Sequence, residues 1–196
     1  MASQPFAGLT EQDYLALERA AEFKSEFVDG EMNARSGVTS RHSILTVRLG
    51  VVLMHQLQAG KYFAYNSDLR VRSAKSQSYL YPDLSVASSE DISPDEDILE
   101  TPTVIVEVLS PSTADYDHGK KFSIYREIPS LKDYLLVHTQ EIMIEHFTPQ
   151  ADGSWLLAYH KGMDTIVELK SIGCSIALKD IYSGVFPENT DIQAQS

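Results

Sequence analysis

The stretch TVIVEVL at residues 103–109, followed at once by SPST at 110–113, decides the fold. It is β-branched or apolar on both faces of an extended chain, the composition of a strand buried from two sides within a sheet. Only Glu107 interrupts it. Ser110-Pro111-Ser112 breaks the strand and caps a helix expected to run to about Glu127, with Phe122 and Tyr125 inward and Pro129 as its stop. A further strand at 134–137 then completes a strand-helix-strand unit around Glu107. Helices on a mixed sheet, an α/β sandwich, follow from that unit.

Working outward, Thr10 ahead of Glu11, Gln12 and Asp13 is a cap-like start for a short helix that buries Tyr14, Leu17 and Ala21. Asp29-Gly30 between two short extended segments, Glu26-Phe27-Val28 and Glu31-Met32-Asn33, signals a tight hairpin. From residue 40 to 58, Ile44, Leu45, Leu49, Val52, Leu53 and Leu57 recur at helical spacing, as a helix covering a sheet requires, and Gly60 ends it. Strands are expected at 63–65 and 69–72, and 79–87 contains another, opened by Pro82. Beyond the central unit, 142–147, 155–160 and 165–169 read as strands, with Asp152-Gly153 as a hairpin turn. The expected organisation is a flexible N-terminus at 1–9, one domain at 10–186 and a flexible tail at 187–196.

Composition limits the function classes. The 196 residues carry a net charge of −12, which argues against coating nucleic acid by bulk electrostatics. Part of that excess is local, since Glu90, Asp91, Asp95, Glu96, Asp97 and Glu100 share one segment that reads as a solvated loop. A single cysteine, Cys174, excludes an intrachain disulfide and a four-thiolate zinc site. No run suits a membrane span and the N-terminus lacks a secretory signal, so the expected location is the cytoplasm. A Walker loop, a dinucleotide glycine fingerprint, a His-Glu-x-x-His helix and a serine nucleophile elbow are all missing. Arg41 with Arg48, and Arg70 with Arg72, share element faces and offer either phosphate contacts or ordinary surface charge.

An ionised glutamate in an apolar strand is costly unless paired. Glu107 therefore forms a core salt bridge, sits at a strand end that reaches solvent, or belongs to a site. Asp83 follows Pro82 at the mouth of another expected strand and can supply a second acid, because neighbouring strands lie only ~4.8 Å apart. Alone, a Pro-Asp pair is ordinary turn chemistry.

These residues carry a resemblance. Tyr81-Pro82-Asp83, then Val106-Glu107-Val108-Leu109-Ser110-Pro111-Ser112-Thr113, then Tyr116-Asp117-His118-Gly119-Lys120-Lys121-Phe122 with Tyr125 resemble the Uma-type restriction-endonuclease family. The EFVDGE hairpin at 26–31 and His42 resemble its N-terminal half, and the likeness spans about residues 10–182. That family belongs to the PD-(D/E)xK phosphodiesterase group, which implies a restriction endonuclease-like fold: a mixed β-sheet flanked by helices, here with additional hairpins. The usual lysine two residues after the second acid is replaced by Leu109. The resemblance implies that this lysine has moved to the following helix, where Lys121 occupies the matching place and Lys120 is the reserve.

The implied catalytic set is Asp83, Glu107 and Lys121. Asp83, Glu107 and the Val108 carbonyl are hard oxygen ligands suited to Mg²⁺ or Mn²⁺. Such an ion would polarise a phosphodiester and acidify water, with Lys121 orienting that water or meeting transition-state charge. Lys121 also reads as a solvated helix lysine paired with Asp117 four residues earlier. Glu26 is an accessory ligand or a solvent-facing hairpin acid, His42 a substrate contact or a capping or packing residue, and Tyr125 a hydroxyl that orients Lys121 or a phosphate, or a core ring. The expected function is metal-dependent hydrolysis of nucleic-acid phosphodiesters, with DNA as partner and a homodimer implied by the resemblance. The alternative is a catalytically inactive nuclease-fold module that binds nucleic acid or protein.

Overall fold

The computed structural model describes residues 8–34, 39–91 and 97–186. The expected tail at 187–196, most of the expected flexible N-terminus and part of the acidic segment lie outside the described residues. Leu9 is already tied to the first hairpin, donating its N–H to Gly30 O at 3.1 Å.

In chain order the elements are α1 (Glu11–Ala20), β1 (Ser25–Val28), β2 (Glu31–Ala34), α2 (Ser40–Gln56), β3 (Tyr62–Asn66), β4 (Arg70–Ser73), β5 (Ser78–Leu80), β6 (Leu84–Ser88), β7 (Ile98–Leu99) and β8 (Pro102–Leu109). There follow α3 (Ala114–Tyr116), a π-helical turn (Asp117–Lys121), α4 (Phe122–Tyr125), β9 (Asp133–His138), β10 (Met143–Pro149), β11 (Trp155–Lys161), β12 (Ile166–Leu169), β13 (Cys174–Ala177) and α5 (Leu178–Tyr182). A six-stranded mixed sheet runs β11-β10-β9-β8-β6-β3, and a five-stranded sheet runs β2-β1-β5-β4-β7. β8 lies at the heart of the larger sheet, parallel to β9 and antiparallel to β6. That parallel pair is the strand-helix-strand unit expected around Glu107.

Alternation along β8 divides the core. Val104, Val106 and Val108 pack with Leu45, Leu49 and Leu53 of α2 and with β12, β13 and α5. Ile105 and Leu109 point the other way, into a cluster that joins Ile124 and Tyr125 of α4 to Val28, Val71, Leu80 and Leu99 of the smaller sheet. By the same period of two, Glu107 belongs to this second face, beneath the helical segment and the smaller sheet.

Several sequence expectations change. The strand expected after Pro82 is β6, but 79–87 also holds the end of β5 in a different sheet: β5 pairs with β1 and β4, whereas β6 pairs with β3 and β8. The chain crosses between sheets at Tyr81-Pro82-Asp83. In α1 the capping box at Thr10 and Asp13 forms as expected, but Leu17 is exposed and Glu18 is buried in its place. Glu18 can sit inside because its carboxylate accepts the Ser25 N–H at 3.0 Å and the Tyr81 hydroxyl at 2.8 Å. The Ser-Pro-Ser segment makes no side-chain cap; Thr113 and Ala114 donate their backbone N–H groups to Ser110 O. β13 and α5 had no signal strong enough to be read.

The four arginines that suggested phosphate contacts are engaged within the fold. Arg41 and Arg48 donate to backbone carbonyls of Thr139, Ile181 and Ser183. Arg70 is buried against Asp97 at 3.1 Å, so the end of the acidic segment is a pairing element rather than a solvated one. Arg72 joins Glu11 at 2.7 Å and Glu100 at 2.7 Å, and Tyr79 donates to Glu11 at 2.8 Å.

This last network ties α1 to the smaller sheet and titrates. The Arg72 hydrogen bond, against the opposing effect of burial, holds Glu11 below its ordinary 4.5. A depressed folded-state value means the contribution is present above pH 4.5 and is lost as pH falls through the folded value. Glu11→Gln should therefore cost about 1 kcal/mol at neutral pH. In urea unfolding, the gap to wild type should close on the acid side; a gap that persists at low pH would assign the effect to packing.

Candidate active site

The crossing at Pro82-Asp83 and the register of β6 on β8 assemble the site. Leu84 pairs with Val106, which brings Asp83, one residue earlier, alongside Glu107 and Val108. Asp83 Oδ2 accepts the Val108 N–H at 2.8 Å and lies 3.0 Å from His42 Nε2. His42 reaches it from the first turn of α2, whose start is fixed by Thr39 accepting the His42 N–H.

Glu107 is met from the helical side. Its Oε1 accepts from Lys121 Nζ and from the Tyr125 hydroxyl, both at 3.0 Å. Lys121 and Tyr125 stand four residues apart, so one helical face presents both. Lys121 Nζ also lies 3.2 Å from Glu26 Oε1 and 3.4 Å from Asp117 Oδ1. Glu26 arrives from β1 and is oriented by the Tyr81 N–H at 3.2 Å. The π-helical turn holding Asp117 and Lys121 has its first carbonyl, Asp117 O, bound by the Tyr134 hydroxyl at 2.9 Å. π-Turns are rare and cluster at functional positions.

Glu26, Asp83, Glu107, Asp117 and Lys121 are each 5% exposed or less, yet all line one open cleft of about 340 Å³ with His42, Val108, Ser110, Ser112, Thr113 and Tyr116. The cleft is short of positive charge. Burial drives the Glu107 carboxyl well above its ordinary range, and Asp117, Asp83 and Glu26 push it further against the pull of Lys121. Asp117 is raised as well, first by burial. Asp83 goes the other way: burial alone would raise it, but His42, the Val108 N–H and Lys121 outweigh that and hold it below 3.8. Lys121 stays protonated, because its acidic neighbours outweigh its own burial.

Of the residues expected at the site, Asp83, Glu107, Val108, Lys121, Glu26 and His42 converge on the cleft. Tyr125 is fully buried, as the packing reading expects, and its hydroxyl donates to Glu107 instead of orienting the lysine or a phosphate. Lys120 departs: it is partly exposed and pairs with Asp29 at 2.5 Å, on the hairpin turn. One residue of helix rotation separates it from Lys121 and turns it away. Asp117, expected only as a surface partner for Lys121, is instead a buried acid of the cleft. Its place between Tyr116 and His118, in the motif that carried the resemblance, was the available signal.

Restriction-endonuclease likeness now has both a fold and a cleft to rest on. The Uma2 family, described as "Putative restriction endonuclease", matches residues 11–179. The chain belongs to the Uma2 family. Two uncharacterized proteins of Synechocystis sp. resemble this Uma2 chain, one at 38% identity over 183 residues, covering 93% of this chain and 96% of the other. The second is 36% identical over 162 residues, covering 82% and 92%. A crystal structure from Anabaena variabilis, described as "a putative nuclease belonging to DUF820", matches with a TM-score of 0.76 at 20% identity, over 91% of this chain and 99% of that one. The Uma2 chain therefore has the restriction endonuclease-like α/β fold. Among the described residues no helix is long and apolar enough to cross a membrane.

Proposed function

We propose that the cleft hydrolyses nucleic-acid phosphodiesters, with DNA as the substrate and Mg²⁺ or Mn²⁺ as the cofactor, in the cytoplasm. The observation that carries this reading is that four buried carboxylates line one cleft open to solvent, three of them within 3.4 Å of a single buried lysine. A purely structural ion pair needs one acid for one base. Here Glu107, Asp117 and Glu26 share Lys121, Asp83 being paired with His42, and burial together with the neighbouring acids makes Glu107 resist ionisation. Buried Asp117 Oδ1 is also left without a hydrogen bond of good geometry. An all-oxygen, acid-rich donor set of this kind fits a hard divalent ion and fits a softer one poorly.

In this reading Asp83 and Glu107, with the Val108 carbonyl, hold the ion, and Glu26 and Asp117 are the adjoining acids. The bound ion would supply Lewis-acid polarisation of the scissile phosphate and acidification of water. The residues of the chain do the rest. His42 and the Val108 N–H keep Asp83 ionised and aimed, which is the state a ligand requires. Tyr125 fixes Glu107 from beneath. Lys121, kept cationic by its neighbours, stands at the cleft wall where an ammonium stabilises charge developing on a phosphoryl oxygen. Cutting both strands of a duplex calls for two such sites, which a homodimer would supply.

The test is cleavage of plasmid and single-stranded DNA by the full chain with Mg²⁺, with Mn²⁺ and with EDTA, alongside calorimetric titration of each ion. Ion binding with cleavage that EDTA abolishes is the expected result. Ion binding without cleavage of any nucleic acid would favour the second reading, a nuclease-fold module without catalysis. One observation supports that alternative: Arg41, Arg48, Arg70 and Arg72 are all engaged inside the fold, leaving fewer cations for a phosphate backbone.

A further inference from the structure

Outside the acidic cleft, the ligating atoms of His118, His138 and Glu145 lie within 4.8 Å of one another. His118 belongs to the π-helical turn, His138 ends β9 and Glu145 stands on the adjacent strand β10. Both imidazoles address a single oxygen: Glu145 Oε1 is 2.9 Å from His118 Nε2 and 2.8 Å from His138 Nε2. Glu145 is buried, whereas the His118 side chain is 36% exposed, so an ion can enter from solvent.

The tautomer of His118 makes this arrangement informative. Its Nδ1 lies 2.7 Å from Ala114 O, and a carbonyl oxygen only accepts, so Nδ1 carries the proton. In the neutral ring Nε2 then presents a lone pair, aimed at a carboxylate oxygen. Two electron-rich atoms at 2.9 Å repel unless a cation lies between them, either a second ring proton or a metal ion. A backbone carbonyl on the outer nitrogen is also the partner that usually orients a metal-binding imidazole. Near His138, Glu141 Oε1 lies 3.9 Å from Nδ1, beyond hydrogen-bond reach. Ligands about 2.0–2.1 Å from a zinc ion stand roughly 3 Å or slightly more from one another, close to the separations found here.

We propose that His118, His138 and Glu145 form a site for a transition-metal cation of the zinc class, chemically distinct from the oxygen-lined cleft. Two imidazole nitrogens and one carboxylate select a borderline ion over Mg²⁺. Three protein ligands leave coordination positions for water on the exposed side of His118. The ion would join the π-helical turn, which carries Asp117 and Lys121, to β9 and β10. The site does not depend on the nuclease reading, since none of its three ligands lines the cleft.

The experiment titrates metal-free full chain with ZnCl₂ in competition with a chromophoric chelator, using wild type, His118→Ala, His138→Ala and the Asp83→Ala/Glu107→Ala double variant. Wild type and the cleft double variant should each take one zinc equivalent with a Kd below about 1 μM. Each histidine variant should bind on the order of 100-fold more weakly. Because a variant can fail by misfolding, Co²⁺ is added to wild type, where visible ligand-field absorption that zinc bleaches is expected. No zinc uptake by wild type, with no cobalt absorption, overturns the proposal and leaves a proton between His118 and Glu145. Zinc binding lost in the cleft variant but kept in the histidine variants overturns it too, by moving the ion to the acids.

Discussion

Glu107→Gln and Asp83→Asn should each reduce Mg²⁺-dependent DNA cleavage by about 10³-fold or more, since outer-sphere partners of a metal ligand already account for 10 to 100-fold. Both replacements are close to isosteric, so the shape of the cleft is kept while a negative charge is removed. Their effect on the metal-free fold should be small, and for Glu107 of opposite sign to the functional loss. Burial and three neighbouring acids already make the Glu107 carboxylate unfavourable, and an amide relieves that cost while still accepting from Tyr125 and Lys121. Lys121 retains Glu26 and Asp117 as partners. The measurements are single-turnover cleavage and thermal unfolding in EDTA. Lost cleavage with an unchanged or raised Tm identifies an acid retained for chemistry at some cost in stability. A variant keeping more than about a tenth of wild-type cleavage would remove Glu107 from the mechanism.

The same residue shows how far sequence reasoning reaches. The run at 103–109 identifies β8 as a buried central strand because a short β-branched run, apolar on both faces, suits little besides the middle of a sheet, and one charged residue inside it demands a partner. The Asp29-Gly30 turn was legible for a local reason as well: both residues adopt positive φ, at 54° and 79°, which that dipeptide tolerates. What escaped was nonlocal. Pro82-Asp83 marks a break within 79–87, but only pairing with β1 and β8 shows that β5 and β6 belong to different sheets. That crossing places Asp83 beside Val108, so the physical reason for its position was absent from the sequence even though the residue itself stood out by resemblance. Asp117 and Glu18 escaped for a related reason. Burial of an acid is set by partners distant along the chain, such as Tyr81 for Glu18, whereas local patterning assigns acids to the surface. The arginines illustrate the converse, since the spacing of Arg70 and Arg72 suits phosphate contacts, whereas the fold sets Asp97, Glu11 and Glu100 beside them.

Lys121→Met carries the second large effect, and its signature should differ from that of the acids in both readouts. Methionine keeps the unbranched stem that packs in the helix and removes the ammonium. Glu107, Glu26 and Asp117 are then left facing one another without their shared cation. Removing one partner of a buried ion pair is strongly destabilising, so the metal-free variant should lose about 3 kcal/mol, the low end for such pairs because the acids can respond by taking up protons. Mg²⁺ should restore much of that stability, since an ion bound among the acids replaces part of the missing charge and binding to the native state alone raises Tm by mass action. Cleavage should not be restored. If Lys121 meets charge that develops on the phosphoryl group, its loss removes roughly 10² to 10³-fold in single-turnover rate however much Mg²⁺ is present. Thermal unfolding with and without Mg²⁺, paired with cleavage at saturating Mg²⁺, separates the two roles. Stability and cleavage recovering together would make Lys121 a stand-in for the cation in the metal-free protein and nothing more, and the transition-state role would have to pass to another group.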